Sequence, residues 1–315
     1  MSRVRMHDDE VDIDLRLVRR LVDGQFPRWA GLALERVASA GTDNALYRLG
    51  ADLVVRLPRI GWAVDDVAKE QRWLPRLAPG LPAAIPEPLG QGEPAHGYPW
   101  SWSVYRWLDG ANPVVGGLAD PAGLASDLAR FVRALHRVDP AAGPRSHRSG
   151  PLHGQEESTR AALAALAVPA VLAGLEESLP GTVDLDAVTQ VWEAALEVPA
   201  WSGPPVWVHG DLSPGNLLLA GGRLSAVIDF GAVGVGDPAC DQIVAWNLLP
   251  ASAREVFRTE LGVDDAMWER GRGWALSIAL VALPYYRRTN PVLADSARHV
   301  IAEVLADTGR SPARR

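Results

Sequence analysis

The sequence predicts an α+β fold in two lobes, a small antiparallel sheet followed by a larger helical part. Three observations predict it. Short β-like runs crowd the first hundred residues, alanine- and leucine-rich stretches with helical spacing fill the rest, and one β-like island, residues 205 to 230, interrupts them. At 315 residues the chain is long enough for two cores, and 48% hydrophobic with 22% charged residues is an ordinary globular composition. Asp109-Gly110 marks the change of texture, so the expected division is residues 1–107 and residues 108–315.

Taken in order, Ile13 to Val22 places apolar side chains at helical spacing behind Asp12, a candidate N-cap. Two β-like runs follow, Leu32 to Ala38 and Ala45 to Leu49, separated by Gly41-Thr42-Asp43-Asn44, which has hairpin-turn composition. A third run, Leu53 to Leu57, comes after a tight turn at Gly50-Ala51-Asp52 and completes a meander. Ala63 to Leu77 reads as a helix with Asp65 and Asp66 in its first turn, where the helix dipole favours acids, and it ends before Pro79-Gly80. Extended pieces are expected near Pro88 to Gln91 and Trp100 to Trp107. Helices are expected over Pro121 to Arg137, Ser158 to Leu179 and Leu185 to Leu196, with three or four more after Asp237. The segment Asp139 to Gln155 reads as an exposed loop, either a lid or plain surface.

The single cysteine, Cys240, excludes an internal disulfide and a thiolate-rich zinc site, and fits a reducing cytoplasm. The N-terminus mixes acids and bases where a signal peptide needs an apolar run, and the longest apolar stretch, around Trp274 to Tyr286, is too short to span a bilayer, so no membrane is expected. Residues 1–107 hold 14 basic and 14 acidic side chains, against 17 and 24 in the remainder, so the whole formal charge of −7 lies in the second part. An acidic half disfavours nucleic acid and suits either a cationic ligand or a solvated surface. Arginine almost replaces lysine; Lys69 is the one lysine, which points to genome composition rather than chemistry.

The informative segment runs from Val206 to Asp241. It contains His209-Gly210-Asp211, then Asn216, the H-x-D-x-x-x-x-N spacing of a kinase catalytic loop, and then Asp229-Phe230-Gly231 after an apolar strand. Phosphoryl transfer needs positioning and neutralisation of phosphate charge more than covalent help. One carboxylate must aim the incoming hydroxyl, and Asp211, on a loop after a strand, suits that role. Hard oxygen ligands must hold Mg²⁺ on the triphosphate, and Asn216 and Asp229 supply an amide oxygen and a carboxylate. The strand Leu224 to Ile228 is apolar and reads as buried, so Asp229 is expected to emerge at its end in a cleft, unpaired unless a metal is there.

These residues resemble the aminoglycoside phosphotransferase family, the antibiotic-kinase branch of the protein-kinase-like fold. The resemblance runs from about Ser39 to about Trp246 and is most specific at HGDLSPGN and VIDFG. It implies a nucleotide-binding first lobe and a catalytic, substrate-binding second lobe. Asp211 would be the catalytic base, Asn216 and Asp229 the Mg²⁺ ligands, and His209 a structural partner of the loop. It also places a phosphate-clamping basic residue at Arg56, its partner acid at Glu70, and a hinge at Tyr105-Arg106-Trp107-Leu108 whose backbone groups at Arg106 and Leu108 would meet the purine. The donor would be ATP or GTP, and the acceptor a hydroxylated small molecule such as an aminoglycoside or other antibiotic.

Other readings stand beside this one. Arg56 occupies a position where kinases carry lysine, and Gly41 is the lone glycine of the phosphate-covering turn; both suit a catalytically silent nucleotide-binding protein. A kinase of a metabolite such as choline or a sugar is a further alternative. His209 with Asp211 would chelate a hydrolase metal only with a third ligand, and the other histidines are scattered. Ser213 lacks the glycine two residues earlier that a nucleophile elbow needs. Asp237-Pro238 has the form of a helix start, and Asp241 reads as support for the catalytic loop.

Overall fold

The computed structural model describes residues 10–38, 43–168 and 183–309. Gly41 and Thr42 of the expected hairpin turn, and residues 169–179 of the helix expected from Ser158, lie outside them. Two compact units form, Met1–Asn112 with Gly215–Ala232, and Pro113–Pro214 with Val233–Arg315.

In the first unit the opening helix, α1 (Leu15–Gln25), is capped by Asp14 rather than Asp12. The Asp14 carboxylate accepts from the Leu17 N–H at 2.7 Å, so the helix starts where a side chain can reach the third amide beyond it. Its stripe of Leu17, Val18, Leu21 and Val22 is buried with the inward side chains of an antiparallel sheet. Each Val or Leu so buried contributes about 1.5–3 kcal/mol. The strands are β1 (Leu34–Arg36), β2 (Asn44–Leu49), β3 (Leu53–Pro58), β4 (Pro88–Gly92) and β5 (Trp102–Arg106), in the order β1-β2-β3-β5-β4.

Strand periodicity decides which side chains reach the site. Ala45, Tyr47 and Leu49 on β2 and Leu53, Val55 and Leu57 on β3 are buried with α1, so Asn44 and Arg56 fall on the opposite pleat. There Arg56 meets helix α2 (Val64–Leu77), which follows a single turn at Gly61–Ala63 and carries Asp65 and Asp66 at its start, as predicted.

In the second unit α3 is Pro121–His136, α4 Glu156–Leu166 and α5 Leu185–Glu197. Strand β6 (Val206–Val208) then precedes the His209–Asp211 loop. The island continues in the first unit with β7 (Leu217–Ala220) and β8 (Arg223–Val227), an antiparallel hairpin. Ala111 exchanges two backbone hydrogen bonds with Leu219, at 2.8 and 3.0 Å, and Ala84 bonds Ser225 and Val227 at 3.0 and 2.9 Å. Gly110 makes the approach possible. Its φ is +145°, and a Cβ there would lie 2.9 Å from the Leu218 Cβ.

The strand β9 (Gly234–Gly236) was absent from the sequence reading. It pairs antiparallel with β6, Val206 opposite Gly236 and Val208 opposite Gly234. The 139–155 segment is fastened to this pair: the Val235 N–H donates to Pro144 O at 2.7 Å, the Asp237 N–H to Ser149 O at 3.1 Å, and the Trp207 indole to Asp139 O at 2.9 Å. Helices α6 (Val244–Asn247), α7 (Ala251–Leu261), α8 (Asp265–Tyr286) and α9 (Pro291–Thr308) complete the unit. The long α8 packs on α4, α5 and α9 and buries Trp274, Leu276, Leu280 and Leu283. No helix among the described residues is long and apolar enough to cross a membrane.

Candidate active site

Arg56 is the electrostatic centre of the first unit. Its Nη1 lies 2.6 Å from Glu70 Oε1 and its Nη2 2.7 Å from Asp229 Oδ1. Glu70 is fully buried, and the Tyr105 hydroxyl donates to its other oxygen. With the Asn44 amide oriented as its hydrogen bonds require, its Oδ1 accepts from Arg56 Nη2 and Nε at 2.9 and 3.1 Å. Burial works against the Arg56 charge, but the adjacent Glu70 and Asp229 carboxylates outweigh it and hold the pKa well above the usual value. Burial, then Glu70, push the Tyr105 phenol up, so it stays a proton donor.

The pairing of Asp229 corrects the expectation that it would stand without a protein partner. An apolar strand delivers a carboxylate to its end, but it does not reveal that a residue 173 positions earlier in the chain meets it there. Asp229 has φ +63°, a left-handed conformation that a Cβ makes costly by about 1–2 kcal/mol. The expected strand Leu224 to Ile228 runs from Arg223 to Val227, and the Ile228 N–H donates to Asn216 O at 2.8 Å just beyond the β7–β8 hairpin. Asn216 and Asp229 therefore leave the same end of one hairpin.

That donor set fits magnesium. Mg²⁺ on a nucleotide takes one or two carboxylates and fills its sphere with phosphates and water, so one carboxylate and one amide oxygen leaving the same hairpin end suit it. Asp229 remains 45% exposed at its side chain, enough to offer an oxygen while Arg56 holds the other.

At the end of β5 the Arg106 N–H donates to Glu87 O at 3.0 Å, and its guanidinium pairs with Glu87 at 2.5 Å on the surface. The Arg106 amide is thus engaged with the residue just before β4. The Trp107 N–H is bonded to Asp52 O at 2.7 Å, which anchors the strand end next to Leu108.

The second unit holds Asp211 on a braced loop. Asp241, fully buried, accepts from the His209 N–H at 3.0 Å and the Gly210 N–H at 2.8 Å. The buried His209 ring accepts from the Asp211 N–H through Nδ1 at 3.1 Å. That bond makes His209 an orienting group, as the resemblance implied, and assigns Nδ1 as the unprotonated nitrogen. Asn247 Nδ2 donates to Leu212 O at 2.8 Å. Asp237 caps the following turn through the Ala239 N–H and pairs with Arg270 at 3.1 Å, so both acids support the scaffold. Burial pushes the Cys240 thiol up, and it acts as core packing beside Gly210.

Tyr105 and Asn44, which complete the Arg56 and Glu70 grip, escaped the sequence reading as partners. In the sequence Tyr105 reads only as part of a hinge and Asn44 as part of a turn, and neither residue type carries a motif.

A strand-rich unit bearing a basic residue and a buried acid, followed by a braced H-x-D loop and a D-F-G turn, defines a kinase-like phosphotransferase class. The sequence profile of the phosphotransferase enzyme family (APH) matches residues 35–274, and the chain belongs to that family. An aminoglycoside 3'-phosphotransferase of Escherichia coli is 34% identical over 97 residues, covering 27% of this chain and 36% of that protein. The chain thus spans about a third of the length of the curated relatives it matches. The GDP complex of aminoglycoside 2'-phosphotransferase-IIIa superposes with a TM-score of 0.74 at 21% identity, over 94% of this chain and all of that one. Macrolide 2'-phosphotransferase MphH of Brachybacterium faecium gives 0.60 at 24%, over 96% and 99%. At these identities the likeness to the solved structures is one of fold.

Proposed function

We propose that the protein transfers the γ-phosphate of ATP or GTP to a hydroxyl of a small molecule, with an aminoglycoside or another antibiotic as the first acceptors to test. The observation that carries this reading is the paired brace of the Asp211 loop, Asp241 on its backbone and His209 on the Asp211 amide, in a chain whose Arg56, Glu70 and Asp229 form one ion-paired set. Family membership supports it, as do the similar structures, a GDP complex of an aminoglycoside phosphotransferase and a macrolide phosphotransferase.

In this reading Asp211 accepts a hydrogen bond from the acceptor hydroxyl and aims its oxygen at the γ-phosphorus. As the new oxygen–phosphorus bond forms, the bond to the bridging oxygen breaks, the nucleoside diphosphate leaves, and the hydroxyl proton passes to Asp211 and then to water. Bound Mg²⁺, held by Asn216 and Asp229, supplies neutralisation of the phosphate charge. Arg56, oriented by Glu70, clamps the phosphates through a guanidinium fork in place of a lysine point charge. Backbone groups of Arg106 and Leu108 meet the purine.

The Arg56 bond to Asp229 favours a second reading, in which the pair shuts the metal ligand and the protein binds nucleotide without turnover. A screen with γ-labelled ATP and GTP against aminoglycosides, macrolides, choline and sugars separates the two. Transfer to any acceptor, lost by at least about 100-fold in both Asp211→Ala and Asp229→Ala, is the expected outcome. Nucleotide binding with no transfer to any of them would leave only the silent reading.

A further inference from the structure

One of the chain's 31 cationic Lys and Arg side chains is lysine. Composition explains the thirty arginines and leaves the exception to be explained by its place. Lys69 lies on α2, directly before Glu70, with its ammonium 2.8 Å from Asp66 Oδ1. It donates to the carbonyl oxygen of Gly231, two residues past Asp229. Both side chains are largely covered, Lys69 at 19% exposure and Asp66 at 24%.

The backbone passes so close to this pair that a Cβ on Gly231 would lie 2.7 Å from Asp66 Oδ2. Helix α2 therefore grips the Asp229–Gly231 turn at two points from adjacent residues. Lys69 holds its backbone, while Glu70, through Arg56, holds the Asp229 carboxylate. The turn needs holding, because Asp229 sits at positive φ, which an isolated chain would leave. Lysine suits the position better than arginine: a compact ammonium with three donors serves a carboxylate and a single carbonyl together, whereas a planar fork wants acceptors in its own plane.

We propose that Lys69, steadied by Asp66, is a positioning residue that keeps the Asp229–Gly231 turn in the conformation presenting the Asp229 carboxylate to nucleotide-bound magnesium. The inference rests on the metal role given to Asp229 above. Burial pushes the Asp66 carboxyl up despite the opposing Lys69, so Asp66 without its lysine is an acid short of compensation.

The test is nucleotide affinity measured by calorimetry with ATP and GTP, each with and without Mg²⁺, on the unmodified chain, Lys69→Met, Lys69→Arg and the double variant Asp66→Asn/Lys69→Met. The double variant removes the uncompensated acid and carries the test if Lys69→Met fails to fold. The expected result is that magnesium tightens binding to the unmodified chain and that this gain falls about 10–100-fold in all three variants, as for groups that orient metal ligands, with magnesium-free affinity retained. A full magnesium gain in Lys69→Met or the double variant would overturn the role of Lys69 alone. A wild-type gain in Lys69→Arg would overturn the requirement for a compact ammonium. No gain in the unmodified chain would overturn the phosphotransferase reading itself, and the Lys69 role with it.

Discussion

Arg56 joins two carboxylates of different standing: Glu70 is fully buried, while Asp229 is nearly half exposed. The two bonds therefore carry different costs when broken. Arg56→Met leaves the Glu70 side chain in the interior without its guanidinium, though still accepting from the Tyr105 hydroxyl, and removal of one member of a buried pair costs about 3–5 kcal/mol. Denaturant unfolding of the variant should show a loss of that order, together with loss of transfer. Arg56→Lys should recover much of the stability by serving Glu70 and recover less of the activity, because one ammonium at that reach replaces a fork that spans both acids. Equal stability of Arg56→Met and the unmodified chain would deny that Glu70 depends on this pair. Asp211, Asn216 and Asp229 stand out as candidates in the sequence because their spacing along the chain is itself the signal. Asp229's partner does not, since a hydrogen bond between Arg56 and a residue on another hairpin leaves no local trace.

Elements were legible where their own periodicity sets them and obscure where a neighbour does. The stripe of α1 and the alternation of β2 and β3 follow from burial of one face, and both were readable. Strand β9 was not, because Gly234-Val235-Gly236 has little strand character of its own; it is extended because β6 and the Pro144 carbonyl bond its backbone. The β7–β8 hairpin depends in the same way on Gly110, the residue next to Ala111, which pairs with Leu219. Gly110→Ala would face both a positive φ and a 2.9 Å approach to Leu218. The expected cost is about 1–3 kcal/mol, read as a lowered unfolding midpoint, and weakened magnesium-dependent nucleotide binding should accompany it because Asn216 and Asp229 flank this hairpin. An unchanged midpoint would mean that the chain relaxes around residue 110.

For the molecule as a whole, a single cut after Trp107 was the natural expectation, yet residues 215–232 cluster with the first unit. The reason is the backbone bonding of the hairpin to Ala84 and Ala111, pairings between distant stretches that composition does not record. The proposed metal ligands, Asn216 and Asp229, and the phosphate clamp, Arg56, belong to one unit, whereas Asp211, five residues before Asn216, belongs to the other. Donor binding and acceptor aiming should then separate by mutation. At a magnesium nucleotide concentration 100 times its dissociation constant, binding stabilises the folded chain by about 2.7 kcal/mol. Asp211→Ala should keep that stabilisation in a thermal melt while losing transfer, and Asp229→Ala should lose both. A melt in which Asp211→Ala forfeits the nucleotide response as fully as Asp229→Ala would place Asp211 in donor binding and remove its assignment as the group that aims the hydroxyl.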